Sequence, residues 1–211
     1  MVFIRVFGKF LISVGVGVLL FVAWTLWGTG IYTAQQQDRL EAEFGALPEL
    51  KPGDEGPGLP PDDFEPGPGV PIFRMTIPSI DLRKMVIEGV GVEELKLGPG
   101  HYPSCRAGFE APLCTPFDAV FPGEKGRVIV SGHRTTYGQP FWDLDRLKRG
   151  DTIDIDTRWG EFTYRVTKTE VVPPDSRAIV VQSDKAELVL TTCNPKFSAA
   201  ERLIVYAELE R

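Results

Sequence analysis

The sequence predicts an all-β domain, folded as a barrel or a sandwich, behind one N-terminal transmembrane helix. Three observations predict this architecture: an uncharged apolar run near the N-terminus, a stretch rich in proline and glycine after it, and a series of short β-type runs from residue 72 to the end. With 211 residues and 43% hydrophobic content, the chain suffices for one domain with a hydrophobic core plus appendages.

The first element is an apolar run, residues 10–32, within a stretch that carries no charge between Lys9 and Asp38. As a helix the run is about 34 Å long, which is enough to cross a hydrocarbon core of about 30 Å. A cleaved signal peptide has a shorter apolar region with a small-x-small exit, whereas Trp24 and Trp27 stand near the end of this run. We therefore expect an uncleaved membrane anchor.

The charges around the run predict the orientation of this anchor. Arg5 and Lys9 precede it, and the positive-inside rule keeps such residues in the cytoplasm. Residues 1–9 are therefore expected to be cytoplasmic, and the chain that follows the anchor is expected to lie outside the cell.

Residues 33–71 are predicted to connect the anchor to the domain. Residues 33–47 predict a short polar helix that leaves the membrane. Residues 48–71 contain eight prolines, five glycines and six acidic residues against one lysine. This composition predicts an extended acidic spacer that has no specific partner and holds the domain off the membrane surface. Residues 72–211 are near neutral and lack the basic stripe that nucleic-acid binding requires.

The domain of residues 72–211 is predicted to be all-β, because its short runs are separated by glycine or proline roughly every 8–15 residues. TIDIDT alternates apolar and acidic residues, as a strand with one wet face does, whereas VIV and LVL are apolar throughout, as central strands are. The best candidate for a short helix is FWDLDRLKRG, which Asp143 and Asp145 are expected to cap. The predicted strands are FRMTIPSI, KMVIEGV, RVIVSGH, DTIDIDT, FTYRVTKTEVV, AELVLTTC and RLIVYAEL, with a GPGHYP loop after the second.

The three cysteines predict one disulfide and one free thiol. Cys105 and Cys114 lie in the polar loop SCRAGFEAPLCTPF and can close a small ring, which stabilises a fold by about 2–3 kcal/mol in the chain-entropy model. Cys193 is then unpaired. A free thiol outside the cell is a liability unless it is buried or used chemically, and its position alone leaves both interpretations open.

A metal site is the alternative use of these residues. Zinc requires three or four ligands at workable spacing. The two histidines, His101 and His133, could join Cys105 and Cys114, but no C-x-x-C or H-x-x-x-H pattern supports that set. We therefore predict no metal and no cofactor, and we expect His101 to fix its loop rather than to act as a second base.

Three reactive residues at strand ends predict a covalent catalytic site. His133 ends RVIVSGH, Cys193 ends AELVLTTC, and Arg202 opens the next strand after the turn NPKFSAAE. Neighbouring strands would bring the thiol and the imidazole to one rim, and a turn that folds back would return the guanidinium toward Cys193. A thiolate forms an acyl-enzyme, an imidazole protonates the leaving amine, and a guanidinium holds the substrate and stabilises an oxyanion.

The protonation state of this site is open at the level of sequence. With reference pKa values of about 8.5 for cysteine and about 6.5 for histidine, only a few per cent of the thiol is ionised at neutral pH. Either a minority thiolate–imidazolium pair reacts, or Arg202 or burial shifts the two pKa values.

These motifs resemble the sortases, which are membrane-anchored cysteine transpeptidases of Gram-positive cell surfaces. The family pattern is LTTC with Arg202 nine residues after Cys193, and a strand-end GH sixty residues before it. GPGHYP, SGHRTTYG, LDRLKRGD and TTCNPKFSAAERLIVYAEL are typical of class E. The resemblance covers residues 72–211 and the layout of anchor and linker. It implies a closed β-barrel of about eight strands, with His133, Cys193 and Arg202 as the catalytic triad.

The resemblance also implies a reaction and its partners. Sortases cleave a C-terminal sorting signal between Thr and Gly and pass the acyl group to an amine of lipid II or of a pilin lysine. Class E enzymes favour Leu-Ala-x-Thr-Gly over Leu-Pro-x-Thr-Gly, and Tyr102 in the GHYP motif is implicated in that choice. The partners are then secreted proteins that carry the signal, met at the cell membrane. The lengthened loop SCRAGFEAPLCTPFDAVF, between Tyr102 and His133, departs from the usual family pattern.

Four further residues are candidate substrate contacts. Thr135 and Tyr137 follow His133 and are expected either to line the site or to serve packing and the turn. Thr191 and Thr192 precede Cys193 and are expected either to orient it or to offer a hydroxyl to the substrate.

Two other functions compete with that of a transpeptidase. A hydrolase with the same Cys–His pair would release proteins rather than attach them, and the two differ only in the acceptor. A non-catalytic surface-binding β-domain would bury Cys193, and a thiol reagent would then leave this residue unmodified in the folded chain.

Overall fold

The computed structural model describes residues 2–50, 58–176 and 179–210. Within them, an N-terminal helical rod precedes a barrel of eight strands. The seven predicted runs all form strands, because they are rich in β-branched and aromatic residues and are bounded by turns. The strands are β1 (Pro71–Ile77), β2 (Leu82–Glu88), β3 (Gly100–His101), β4 (Gly126–Ser131), β5 (Thr152–Thr157), β6 (Glu161–Val172), β7 (Ala186–Asn194) and β8 (Glu201–Leu209).

The strands close into a barrel in the order β1-β2-β3-β4-β7-β8-β6-β5, so the predicted closed barrel is confirmed. Most neighbouring strands are antiparallel, whereas β2 with β3 and β4 with β7 are parallel. Parallel neighbours end at the same edge of a sheet. The segment after β4 and the end of β7 therefore meet at one rim of the barrel.

Side chains of the barrel alternate between an interior core and a second apolar layer on the outside. On β7, Leu188 and Leu190 face the interior core, whereas Val189 faces outward beside Ile129 of β4 and Ile204 of β8. All five side chains are buried. This strand is therefore covered on both faces, which is why its sequence is continuously apolar.

The N-terminal rod consists of α1 (Val2–Ala23), a π-helical turn (Trp24–Gly28) and α2 (Thr29–Ala46). It contains a stretch that is long and apolar enough to cross a membrane, in agreement with the predicted anchor. The predicted polar helix after the anchor corresponds to α2, which packs on the barrel: Leu40 and Phe44 contact Met85 and Ile87 of β2. A further short helix, α3 (Val92–Leu97), precedes β3 and was not predicted.

The proline-rich linker also contacts the barrel. Residues 51–57 of the predicted spacer lie outside the described residues. In the described part, the ring of Phe64 packs edge-on against Phe121 at 4.9 Å and Trp159 at 5.2 Å between centroids. The expectation of a spacer without a partner is therefore wrong for this part, because an aromatic side chain within it is partly buried against the core.

The predicted helix FWDLDRLKRG is reduced to one 3₁₀ turn, Leu144–Arg146. Asp143 occupies its N-cap position without a capping side-chain hydrogen bond, and Asp145 forms an ion pair with Arg134 at 2.9 Å. The predicted capping role of the two aspartates is therefore wrong. A charged partner on another segment outweighs a cap on so short a helix.

The lengthened loop between β3 and β4 is fastened by covalent and backbone contacts. A disulfide joins Cys105 and Cys114, as predicted, and a β-bridge pairs Ser104 with Thr115. The bonded pair also removes the alternative zinc site, because two of its four proposed ligands are bonded to each other.

His101 holds the end of this loop from the inside of the fold. Its Nδ1 lies 2.8 Å from a carboxylate oxygen of Glu88, and its Nε2 lies 3.0 Å from the carbonyl oxygen of Val120. Burial lowers the pKa of His101, but the charge of Glu88 and hydrogen bonds to Glu88 and Val120 outweigh burial, and the pKa is raised overall. The imidazolium then donates from both nitrogens, and His101 has the loop-fixing role that the sequence predicts.

We expect the charged pair of Glu88 and His101 to stabilise the fold in a pH-dependent manner. Because the pKa of His101 is raised above its unfolded value of about 6.5, the contribution is fully present below that pH and is lost as the pH rises through the folded value. Glu88→Gln removes the two largest causes that raise the pKa of His101 and leaves burial, which lowers it, against the smaller effects of the Val120 carbonyl and Glu124. The pKa of His101 should therefore fall, and with it the stabilisation of the fold at low pH. At pH 6 the variant should lose about 3 kcal/mol of unfolding free energy.

Urea unfolding of the full chain in detergent, measured from pH 5 to pH 9, tests this expectation. The difference in unfolding free energy between the wild type and Glu88→Gln should shrink as the pH rises. A difference that stays constant across this range would show that His101 is not charged in the fold.

Candidate active site

The hairpin of β7 and β8 places Cys193 directly opposite Arg202, because these residues are paired in the antiparallel ladder. The turn between them folds back as predicted, with the Ser198 N–H donating to the carbonyl of Pro195 at 3.0 Å. Cys193 is a free thiol and is half-buried. The interpretation of Cys193 as a fully buried structural cysteine is therefore wrong.

Backbone and side-chain contacts on either side of His133 bring this residue to the end of β7. Before it, the Thr192 hydroxyl donates to the carbonyl of Gly132 at 2.7 Å. After it, Nη1 of Arg134 donates to the carbonyl of Cys193 at 3.4 Å. His133 lies between two residues that both contact the segment around Cys193, so the structure brings the predicted thiol and imidazole to one rim.

The ring of His133 is half-buried beside an aromatic neighbour. The rings of His133 and Tyr137 lie 5.1 Å apart between centroids, at 33°. Burial lowers the pKa of His133, since a charged imidazolium is poorly solvated there. The imidazole is therefore neutral at neutral pH and can accept a proton.

Arg202 is held by its own turn. Its Nη1 donates to the carbonyls of Ala199 at 3.1 Å and Glu201 at 3.0 Å. The positive charge also acts on Tyr102: burial raises the pKa of this phenol, and Arg202 opposes that rise. Tyr102 and Arg202 therefore approach the same part of the outer surface from β3 and β8.

Beyond the pair of Cys193 and Arg202, the outer face of β4, β7 and β8 carries successive rows of paired residues. We name its apolar part, Ile129, Val189, Ile204 and Tyr206, the outer strip; Tyr102, Val172, Ile179 and Val180 pack against it. Polar residues separate the strip from Cys193, and charged residues lie beyond it. Moving away from Cys193, the paired positions are Ser131, Thr191 and Ile204, then Ile129, Val189 and Tyr206, then Arg127, Glu187 and Glu208.

The two threonines before Cys193 have different surroundings. Thr191 follows Val189 on the outer face, is 3% exposed, and its hydroxyl has no hydrogen-bond partner among the described residues. The Thr192 hydroxyl is engaged with the carbonyl of Gly132, so it ties the segment before His133 to β7.

Thr135 and Tyr137 lie in the loop that follows His133. The carbonyl of Thr135 accepts a hydrogen bond from the side-chain amide of Gln139 at 3.1 Å, which fixes the loop internally. Tyr137 contacts His133 directly and is thus a lining residue of the site. Of these two candidates, Tyr137 is the one whose ring contacts His133.

Arg134 is a functional candidate that the sequence analysis missed. Its side chain is 3% exposed, and its guanidinium binds Asn194 Oδ1 at 2.8 Å, Asp145 at 2.9 Å and the carbonyl of Cys193. It therefore joins the segment that carries His133 to the strand end that carries Cys193. The sequence signal for Arg134 was its position directly after His133. An arginine next to a predicted loop is, however, usually a solvent-exposed charge.

Neither a metal site nor the main cavity among the described residues involves Cys193, His133 or Arg202. The described residues contain no group of three or more metal-ligating side chains. A cavity of about 450 Å³ lies between the linker and the disulfide loop, lined among others by Phe64, Arg106 and Phe121.

Comparisons with known proteins agree with this geometry. Residues 75–210 match a family model described as the Sortase domain. Sortase D of Bacillus subtilis is 34% identical over 150 residues, which cover 69% of this chain and 67% of that protein. Sortase SrtE1 of Streptomyces coelicolor is 29% identical over 216 residues, which cover 97% of this chain. The chain spans little more than half of SrtE1, since the match covers 56% of that protein.

Solved structures give the same result. Sortase E of Streptomyces avermitilis is 32% identical, with a TM-score of 0.55 over 69% of this chain and 91% of that one. Sortase E1 of Streptomyces coelicolor, solved with a tripeptide in its active site, is 26% identical, with a TM-score of 0.57 over 70% of this chain and 92% of that one. The predicted resemblance, including the likeness to class E, is confirmed.

We expect the two histidines of the chain to titrate on opposite sides of the reference value. Burial should place the midpoint of His133 below about 6.5, whereas Glu88 should place that of His101 above it. NMR of ring-labelled histidine in the detergent-solubilised chain measures both. Tyr137→Ala exposes the His133 ring and should raise its midpoint toward the reference value while leaving His101 unchanged. A His133 midpoint at or above 6.5 would contradict the proposed burial effect.

We expect Arg134→Met to lower the unfolding free energy by about 1–3 kcal/mol, because it leaves the oxygens of Asn194 and Cys193 without their donor. Amide hydrogen exchange at Cys193 should also accelerate. Arg146→Met is the matched control, since this exposed arginine binds only Asp143 in the same loop; its effect should stay within about 0.5 kcal/mol. Equal effects of the two substitutions would refute the linking role of Arg134.

Proposed function

The chain belongs to the sortase family of cysteine transpeptidases, and from that premise we propose that it cleaves a C-terminal sorting signal between Thr and Gly and transfers the protein to an amine. The observation that carries the proposal is the position of Cys193, a free and half-buried thiol paired with Arg202 at the rim where His133 arrives. A nucleophile, a proton carrier and a permanent cation at one rim of the barrel are what acyl transfer from a peptide requires.

The reaction follows from the protonation of these groups. The His133 imidazole is neutral at rest and accepts the thiol proton as the Cys193 sulfur attacks the carbonyl carbon of the signal threonine. The Arg202 guanidinium faces the developing oxyanion. The C–N bond to glycine then breaks, the imidazolium gives its proton to the leaving amine, and a thioester remains. An incoming amine attacks the thioester carbonyl and loses its proton to His133, the C–S bond breaks as the amide forms, and the leaving sulfur takes that proton from His133 to restore the thiol.

The side chains that cover the outer strip are the proposed platform for the signal peptide. The strip itself is buried, and Tyr102, Val172, Ile179 and Val180 pack over it. An extended peptide with its threonine at Cys193 would therefore run across these covering side chains, and its apolar first residue would pack against them. Tyr102 packs at the border of this strip, which supports its proposed part in the choice between alanine and proline at the second signal position.

The N-terminal rod supports a cell-membrane location for this activity. Arg5 and Lys9 precede the apolar stretch, so we propose a cytoplasmic N-terminus and an extracellular barrel. Secreted proteins with a sorting signal would reach the site at the membrane surface. The acceptor amine would be that of lipid II or of a pilin lysine.

Peptide cleavage by the full chain tests the proposal. We expect a Leu-Ala-x-Thr-Gly peptide to be turned over faster than its Leu-Pro-x-Thr-Gly counterpart, and we expect Cys193→Ala to abolish cleavage of both, because no other group forms the thioester. Addition of a nucleophilic amine should convert the acyl product into the amide, measured by mass spectrometry.

The possible results test three separate parts of the proposal. Equal rates with the two peptides would remove the class E preference and leave the sortase activity intact. Cleavage with only the hydrolysed product, at saturating amine, would favour a releasing hydrolase. Cleavage that persists in Cys193→Ala would refute the proposed nucleophile.

A further inference from the structure

The membrane-anchor rod forms a specific interface with the catalytic barrel. The side-chain amide of Gln37 is buried and makes three hydrogen bonds: it accepts from the Met85 N–H at 2.9 Å and donates to the carbonyls of Met85 at 3.2 Å and Leu97 at 2.9 Å. The Thr33 hydroxyl donates to the carbonyl of Lys96 at 2.8 Å. Glu41 adds ion pairs with Arg74 at 3.1 Å and Arg83 at 2.6 Å. Such polar groups bury only where the geometry of their partners is fixed.

Within the last turns of the apolar run of residues 10–32, the rod contacts the loop that follows His133. The Tyr137 N–H donates to the hydroxyl oxygen of Thr29 at 3.1 Å, and the side-chain amide of Gln139 donates to the carbonyl of Leu26 at 3.3 Å. A Cβ atom built at Gly30 would lie 3.6 Å from the Cα of Gly138, so the two backbones pass close to each other.

The contacted loop has a conformation that isolated chains avoid. Tyr137, Gly138 and Gln139 have φ values of 51°, 72° and 50°, all in the left-handed region. For the two residues that are not glycine, this conformation costs about 1–2 kcal/mol each. Both of these residues are the ones that bond to the rod. The rod therefore supplies contacts that favour this loop conformation.

The same loop supports the catalytic imidazole. Tyr137 bonds to Thr29 through its N–H while its ring packs against the ring of His133. A chain of contacts thus runs from the anchor, through Thr29 and Tyr137, to His133. No sequence feature connects residue 29 with residue 133.

We propose that the anchor rod is a positioning element of the active site: the Thr29 hydroxyl holds Tyr137 against His133, so the orientation of the imidazole depends on the docked anchor. Thr29 and Tyr137 are positioning residues that act through His133. The inference rests on the proposed function for its kinetic consequence, but its structural consequence can be measured separately.

Substitution of Thr29 by an isosteric residue tests the proposal in the full chain, in detergent or nanodiscs. Thr29→Val removes the acceptor and keeps the shape, and Thr29→Ser keeps the hydroxyl. Thr25→Val is the matched control, because the Thr25 hydroxyl is exposed and donates only to the carbonyl of Phe21 in its own helix. The readouts are kcat and KM for the sorting-signal peptide and the titration midpoint of His133 by NMR.

We expect Thr29→Val to lower kcat about three- to tenfold, as loss of one positioning hydrogen bond does, with little change in KM. The His133 midpoint should rise, because a displaced Tyr137 exposes the ring to water. Thr29→Ser and Thr25→Val should match the wild type in both readouts. A Thr29→Val chain with unchanged kcat and an unchanged midpoint would overturn the proposal, and so would Thr25→Val with the same losses.

The two levels of inference fail separately. If no variant, including the wild type, cleaves the peptide, the proposed function fails and the His133 midpoint still decides whether the anchor positions the imidazole. If the wild type cleaves the peptide and Thr29→Val changes neither kcat nor the His133 midpoint, the anchor inference fails and the proposed function stands.

Discussion

The register of β7 between its two neighbours is the constraint on which the site depends. Antiparallel pairing with β8 sets Cys193 opposite Arg202, and parallel pairing with β4 makes the segment with His133 arrive at the same rim. The register is itself fixed by apolar side chains on both faces of β7, since a slip of one residue would exchange the two faces. The same slip would turn the thiol into the barrel. Hydrophobic packing, rather than any contact among the reacting groups, therefore determines where the chemistry happens.

A second set of interactions fixes the position of the His133 segment at this rim. Strand pairing ends at Ser131, and beyond that point the chain is tied to β7 by the hydroxyl of Thr192 and the guanidinium of Arg134. Both groups bond to backbone carbonyls, which do not titrate, so this attachment is independent of the protonation of His133. A catalytic imidazole that changes its charge in each cycle needs a support of this kind.

The three parts that the sequence separates, namely anchor, linker and barrel, contact one another in the described structure. The rod is held on the barrel by Gln37 and Glu41, and the linker by Phe64. These contacts fix the direction in which the barrel faces relative to the rod. The composition of the linker and its structure disagree. The proline-rich acidic sequence indicates a free chain, whereas one aromatic residue within it packs against the barrel.

The sequence by itself determined the seven main strands, the apolar stretch, the disulfide and the identities of Cys193, His133 and Arg202 as candidates, because hydrophobic periodicity and residue chemistry are local properties. The tertiary structure decided the rest. The docking of the rod, the contact of Phe64, the ion pair of Asp145 and the buried links made by Arg134 all join residues far apart in the chain. Such contacts depend on which surfaces the closed barrel brings together, and a single sequence carries no local signal for that. The opposite pKa shifts of His101 and His133 have the same origin, since burial and a charged neighbour exist only in the folded chain.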